Sequence, residues 1–180
     1  MVRIAGLASA FDTGVSSKEH MISGESSILA EQWYGRGTGR FPDRKGTAGK
    51  RILDITLPLG WDKEHGGIIA FTDVSGKPPV QLEWDMKLWW PQCETIIAAR
   101  LAYEVFKEEK YRNLYQETER YCEKYFVDEK NEEWYGYLHY DNTVSTTLKG
   151  NIFKGPFHIP RLYMIMSVFE RGDSIEEYAK

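Results

Sequence analysis

The stretch Leu162-Tyr163-Met164-Ile165-Met166-Ser167-Val168-Phe169 is apolar on every face of a helix. A surface helix carries one apolar stripe, so a helix without a polar face asks to be buried all round by other helices. Pro160 sits two residues before it, suited to a first helical turn where the missing N–H costs nothing. This one segment directs the fold towards an assembly of packed helices. A second apolar helix is marked by Cys93, Ile96, Ile97, Leu101 and Val105 at helical spacing. Helices are expected at about 91–107, about 109–126 and from near Ile159, the last ended or broken at Arg171-Gly172-Asp173. The middle helix has Tyr111, Leu114, Tyr115, Thr118, Tyr121, Cys122 and Tyr125 on its stripe, with charges between. Gly66 to Asp73 followed by Ser75 to Pro79 reads as a strand and tight turn. Trp134 to Tyr140, Asp141-Asn142 and Val144 to Leu148 read as a β-hairpin.

Trp89-Trp90-Pro91-Gln92-Cys93-Glu94 places two indoles beside a carboxylate at the start of the 91–107 helix. A carboxylate heading an apolar stripe must meet a helix N-terminus or serve a polar pocket, since unpaired burial is costly. Indole faces and an oxygen acceptor also suit a sugar, which offers C–H surfaces and hydroxyls. His158 and Arg161 stand where the loop Lys149 to Phe157 enters the last helix, placing an imidazole and a guanidinium at its mouth.

These pieces, taken in order, resemble the N-acylglucosamine 2-epimerase family, which also holds mannose and related aldose–ketose isomerases. The matching runs are Trp61 to Gly67, Lys77-Pro78-Pro79, Glu83 to Pro91, Glu94, Glu133 to Leu138, and Lys149 to Arg161. Phe157-His158-Ile159-Pro160-Arg161 is closer to the N-acylglucosamine branch than to the cellobiose 2-epimerases. Gln92 departs from the family's histidine, a departure that bears on the substrate. The resemblance implies a mainly α fold, a partial (α/α)6 barrel comprising about its C-terminal half, with short β-hairpins at the barrel mouth. It implies 59–172 as the barrel part, 173–180 as a tail and 1–58 as a poorly defined N-terminal segment, so that the domain is N-terminally incomplete.

The activity implied is interconversion of N-acetylglucosamine and N-acetylmannosamine by proton transfer at C2. The alternatives are an inactive carbohydrate-binding or interaction fragment, or an aldose–ketose isomerase acting on mannose-type sugars. Removing a proton beside an aldehyde and returning it to the other face needs two groups titrating near the working pH, and imidazole suits both tasks. His158 matches one of the family's two histidines, with Arg161 stabilising charge on the substrate oxygen. Glu94 is the sugar-binding carboxylate, Trp89, Trp90 and Trp134 are apolar walls, and Lys154 is a further contact, with Lys149 a weaker one. Gly24 to Glu31 is similar to the family's upstream catalytic helix, but Ile22 occupies the histidine position and His20 is off register. The resemblance implies no cofactor, and no His, Cys or carboxylate cluster has metal-ligand spacing.

Among the 180 residues the net charge is −4, which gives no footing for nucleic acid or an anionic membrane. The partner expected is a small sugar, with a homo-oligomer or a cover of residues 1–58 for helix faces left bare. Aromatic content of 14%, with six Trp and eleven Tyr, fits a sugar-facing cavity and a large helical core equally. Cys93 and Cys122 fall on expected helices and read as free thiols in a reducing, cytoplasmic setting. No run approaches membrane-span length. Two Gly-rich basic stretches, 35–40 and 46–51, fail as phosphate loops: Arg44 occupies the first P-loop glycine and Arg51 the Ser/Thr position.

Overall fold

The computed structural model describes residues 42–73 and 79–172, with side chains from residue 49 onward. Among the described residues four helices dominate: α1 Pro42–Gly60, α2 Trp89–Phe106, α3 Glu109–Tyr125 and α4 His158–Glu170. Four two-residue strands lie between them: β1 Lys87–Leu88, β2 Val127–Asp128, β3 Glu133–Trp134 and β4 Tyr137–Leu138. Helix α2 is the centre of the molecule. It packs on both α3 and α4, and its residues from Pro91 to Ala99 are all buried. Its chain reverses at Lys107, a left-handed residue (φ 54°) whose N–H caps Tyr103 O. Helix α3 then runs back with Glu109 in its first turn and Lys124 in its last, both favourable to the helix dipole.

The core is shared by three helices and the strands. Ile96, Ile97 and Leu101 of α2 meet Tyr121, Cys122 and Phe126, with Leu138 and Leu162 closing the cluster. Leu53 and Leu57 of α1 form a second cluster with Ala98, Ala102 and Tyr111. Helix α1 runs unbroken past residue 58, so the boundary expected there falls inside a packed helix. Asp54 fixes α1 to α3, with Tyr111 Oη donating to Oδ1 (2.6 Å) and Lys110 Nζ at 2.6 Å from the same oxygen. Burial alone pushes the Asp54 carboxyl up, but Lys110, Tyr111 and Lys50 together outweigh it and hold the value down at about 2.

Strand β1 pairs antiparallel with β4 (Lys87 with Leu138, Leu88 with Tyr137), and β2 pairs with β3 (Val127 with Trp134, Asp128 with Glu133). The hairpin expected over 134–148 forms as a short one across the Asp141-Asn142 turn, with Ser145 N–H donating to Tyr137 O (3.0 Å), His139 N–H to Thr143 O (2.8 Å) and a bridge from Leu138 to Val144. The other edge of β4 takes β1 as its ladder partner. The strand expected from residue 66 is absent among the described residues. Gly66 and Gly67 both have positive φ, and the backbone beyond them is satisfied piecemeal: Ala70 N–H by Met86 O, and Phe71 N–H by Trp84 O. Helix α4 is not buried all round. Leu162 and Val168 are buried, whereas Tyr163 and Met164 are 57% and 49% exposed, because α4 packs chiefly on α2 alone.

Lys87 has no exposed surface. Its ammonium donates to Asp62 Oδ2 (2.6 Å), Tyr140 O (2.5 Å) and Asn142 Oδ1 (3.0 Å). Asn142, itself left-handed at φ 71°, also accepts from Tyr121 Oη and donates to His65 O. Burial raises the Asp62 carboxyl, but Lys87 and the Glu64 N–H bring it below its ordinary value. Removing the cation strands a buried carboxylate, so Lys87→Met should cost about 3–5 kcal/mol of stability in urea unfolding. Asp54 gives a second expectation. Its folded-state value lies below the ordinary one, so its contribution is present above about pH 4 and is lost as pH falls towards about 2. Asp54→Asn should therefore lower stability by about 1 kcal/mol at pH 7, and this gap from wild type should shrink between pH 4 and pH 2.

Candidate active site

His158 and Arg161 lie three residues apart at the start of α4, so they share one face. That face looks at Glu94, in the second turn of α2. Glu94 Oε1 is 2.7 Å from His158 Nδ1, and Arg161 donates through its guanidinium to Glu94 Oε2 at 2.5 Å. Glu94 has no exposed surface, whereas its two partners keep about a fifth of theirs. The carboxylate is thus the buried anchor, and the imidazole and guanidinium are the groups presented outward. No acidic residue occupies the first turn of α2, which decides between the two roles open to Glu94. Glu94 stands beyond the turn where the dipole acts and is paired instead with His158 and Arg161.

Burial pushes the Glu94 carboxyl above its ordinary value, while the His158 hydrogen bond pulls it back. Burial lowers Arg161 from its ordinary value. An ionised carboxylate only accepts, so a neutral His158 held to it carries its proton on Nδ1. The Nε2 lone pair is then the one able to take up a proton. This is the arrangement a general base needs, with the imidazole oriented by a third group.

Aromatic rings surround the imidazole. Ring-centroid distances to His158 are 6.3 Å for Trp89, 5.9 Å for Trp90 and 4.9 Å for Phe157. Trp89 is 2% exposed and stacks edge-on with Tyr137 at 5.5 Å. Its indole Nε1 is buried without a hydrogen-bond partner. An unsatisfied buried donor is costly, and Trp134 carries the same one in the core. The start of α2 is fixed by Trp89 N–H donating to Gly136 O, so the β1–β4 ladder sets where both indoles stand.

The other residues expected at the site lie elsewhere. Trp134 is packed against Phe126 and lines a cavity of about 210 Å³ between α3 and α4. Lys154 runs its stem past Gly136 and gives its ammonium to Lys149 O (2.7 Å) and Glu133 (3.4 Å). Lys149 pairs with Asp128 and sits over the Tyr135 ring. Both lysines thus brace the loop that leads into α4. Gln92 faces away from the site: its amide pairs with both backbone groups of Ile68, at 2.9 and 2.7 Å. The glutamine at this position thereby holds the 61–70 segment to α2. His20 and the 24–31 stretch lie outside the described residues. Phe157 and Tyr137 were not singled out from sequence, although Phe157 is the immediate neighbour of His158 and that adjacency was the available signal. Among the described residues no group of three or more His, Cys or carboxylates is placed to hold a metal. A groove of about 640 Å³ between α1 and α3, floored by Leu53, Leu57, Trp61 and Leu114, includes none of the site residues.

An imidazole and a guanidinium thus meet on one buried carboxylate beside two indoles, where two helices and the β1–β4 ladder come together. The chain belongs to the N-acylglucosamine 2-epimerase family, whose pattern matches residues 29–158. N-acylglucosamine 2-epimerase of Mus musculus is 44% identical over 111 residues, 62% of this chain and 26% of that protein. The Bos taurus protein of the same name is 41% identical over 128 residues, 68% of this chain and 30% of that protein. The chain therefore spans under a third of the length of these relatives. A D-mannose isomerase crystal structure shares the fold with a TM-score of 0.71 at 20% identity, covering 81% of this chain and 37% of that one. A sugar epimerase from a ruminal bacterium gives 0.68 at 18% identity, with 86% and 39% covered.

Replacing Glu94 tests the geometry directly. Glu94→Gln turns an amide N–H towards Arg161 or His158 in a buried position, and should cost about 3 kcal/mol in urea unfolding. A carboxylate serving only a helix dipole would cost about 0.3–1 kcal/mol.

Proposed function

We propose that this chain acts in the C2 epimerisation of an N-acylated hexosamine, interconverting N-acetylglucosamine and N-acetylmannosamine. The observation that carries the reading is the buried Glu94 carboxylate joining His158 and Arg161 beneath two indoles. In this reading His158 Nε2 exchanges the proton at C2, and Arg161 stabilises charge on the oxygen of the adjacent carbonyl as it develops. Glu94 fixes the imidazole tautomer and the guanidinium direction. Trp90 supplies an apolar face for the sugar's C–H surface, with Trp89 packed behind the imidazole. Epimerisation also needs a second acid/base on the opposite face of C2. The family resemblance assigns it to an upstream histidine.

The Mus musculus and Bos taurus relatives are both N-acylglucosamine 2-epimerases, which supports the N-acyl substrate over a mannose-type sugar. Cys93 and Cys122 are buried and free, which supports a reducing, cytoplasmic setting. No helix among the described residues is long and apolar enough to cross a membrane. Incubation with N-acetylmannosamine in heavy water should place deuterium at C2, as read by NMR. His158→Ala should lower that exchange by at least about a hundredfold while leaving the far-UV circular dichroism unchanged. Exchange that persists in His158→Ala would sink the assignment.

A further inference from the structure

We infer that Phe157 is the specificity-determining wall for the substituent at C2, selecting an apolar N-acyl group over a hydroxyl. The inference rests on the epimerase reading above. Phe157 is 58% exposed, yet its ring stands edge-on to the His158 imidazole, 4.9 Å between centroids at 82°. The Arg161 guanidinium lies 5.8 Å from the same ring, so the phenyl borders both polar groups of the site. Its backbone is fixed at both ends. The Phe157 N–H donates to Gly155 O (2.9 Å), and its carbonyl accepts from the Arg161 N–H (3.0 Å).

Reaction geometry makes the position of this ring consequential. The proton that His158 handles and the substituent that separates the substrate classes are bonded to one carbon. Whatever flanks the imidazole on its accessible side therefore meets that substituent. Trp89 is almost wholly buried and already engaged with Tyr137. Trp90 lies tilted against the imidazole at 36°, as a face for the ring carbons. Phe157 is the flanking aromatic with most of its surface still open. An exposed phenyl leaves apolar area in water that a methyl group would cover. A hydroxyl pressed against it would give up water without gaining a hydrogen bond. Because the backbone is already locked, little ordering is needed for the ring to serve as a wall.

The test compares two sugars on the full chain. C2 exchange rates in heavy water are measured for N-acetylmannosamine and for mannose with wild type, Phe157→Ser and Phe157→Tyr. In Phe157→Ser the ratio of the two kcat/KM values should fall about tenfold in favour of mannose. Phe157→Tyr, which keeps the aromatic face, should retain most of the preference. Equal slowing of both sugars in Phe157→Ser overturns the inference and leaves the epimerase reading standing. Should wild type exchange neither sugar, the epimerase reading fails instead. The wall is then judged by binding, through quenching of tryptophan fluorescence by each sugar. Tighter binding of the N-acetyl sugar, lost in Phe157→Ser and kept in Phe157→Tyr, supports it, and equal or undetectable binding of the two sugars overturns it. Should Phe157→Ser fail to fold, Phe157→Leu takes its place with the same two outcomes.

Discussion

A fully buried ammonium needs an acceptor for each of its three protons, and Lys87 finds them in two turns far apart in the chain. Asp62 comes from the turn after α1, and Tyr140 and Asn142 both come from the turn after β4. Asn142 extends the reach to α3 through Tyr121 and to the 62–67 turn through the His65 carbonyl. The cost of desolvating a lone ammonium forbids any arrangement in which one of these partners is missing. A single side chain thereby fixes the relative positions of two loops, a helix and a strand. Since β1 leads directly into α2, the same hub determines where Trp89, Trp90 and Glu94 begin.

The site repeats this logic with the charges reversed. At the hub a buried cation gathers acceptors; at the site the buried Glu94 gathers a cation and an imidazole that keep part of their surface open. The difference in exposure separates structure from chemistry. Lys87 has no surface with which to meet a ligand. His158 and Arg161 are held from behind, so their outward edges are directed without being consumed.

The helices were legible because their evidence is local. Apolar residues at a period of 3.6 marked α2 and α3 to within two residues at each end, and Pro160 with Gly172 bracketed α4. The strand expected after Gly66 failed, and the β1 partner of β4 was not foreseen, because both depend on non-local pairing. Gln92 supplies Ile68 with the two hydrogen bonds of a ladder partner, which no alternation pattern encodes. Strand β4 is claimed by β1 from about fifty residues away. Of the candidate site, Glu94, His158, Arg161, Trp89 and Trp90 do converge. Trp134 and Lys154 share the same motifs but point into the core and the loop base. Motif membership indicates that a residue matters, whereas its side-chain direction depends on tertiary packing.

The half-exposed seat of α4 on α2 has a kinetic side. Glu94 is separated from His158 by 64 residues and from Arg161 by 67, so the constellation exists only while α4 is docked. An element that packs on a single neighbour, with solvent along one flank, belongs to the low end of the local-opening spectrum. Its amides should exchange with solvent before those of α2. Detachment of thirteen residues would dissolve the site while the α1–α2–α3 unit stays folded. The chemistry of this chain therefore depends on a smaller free energy than the stability of its core.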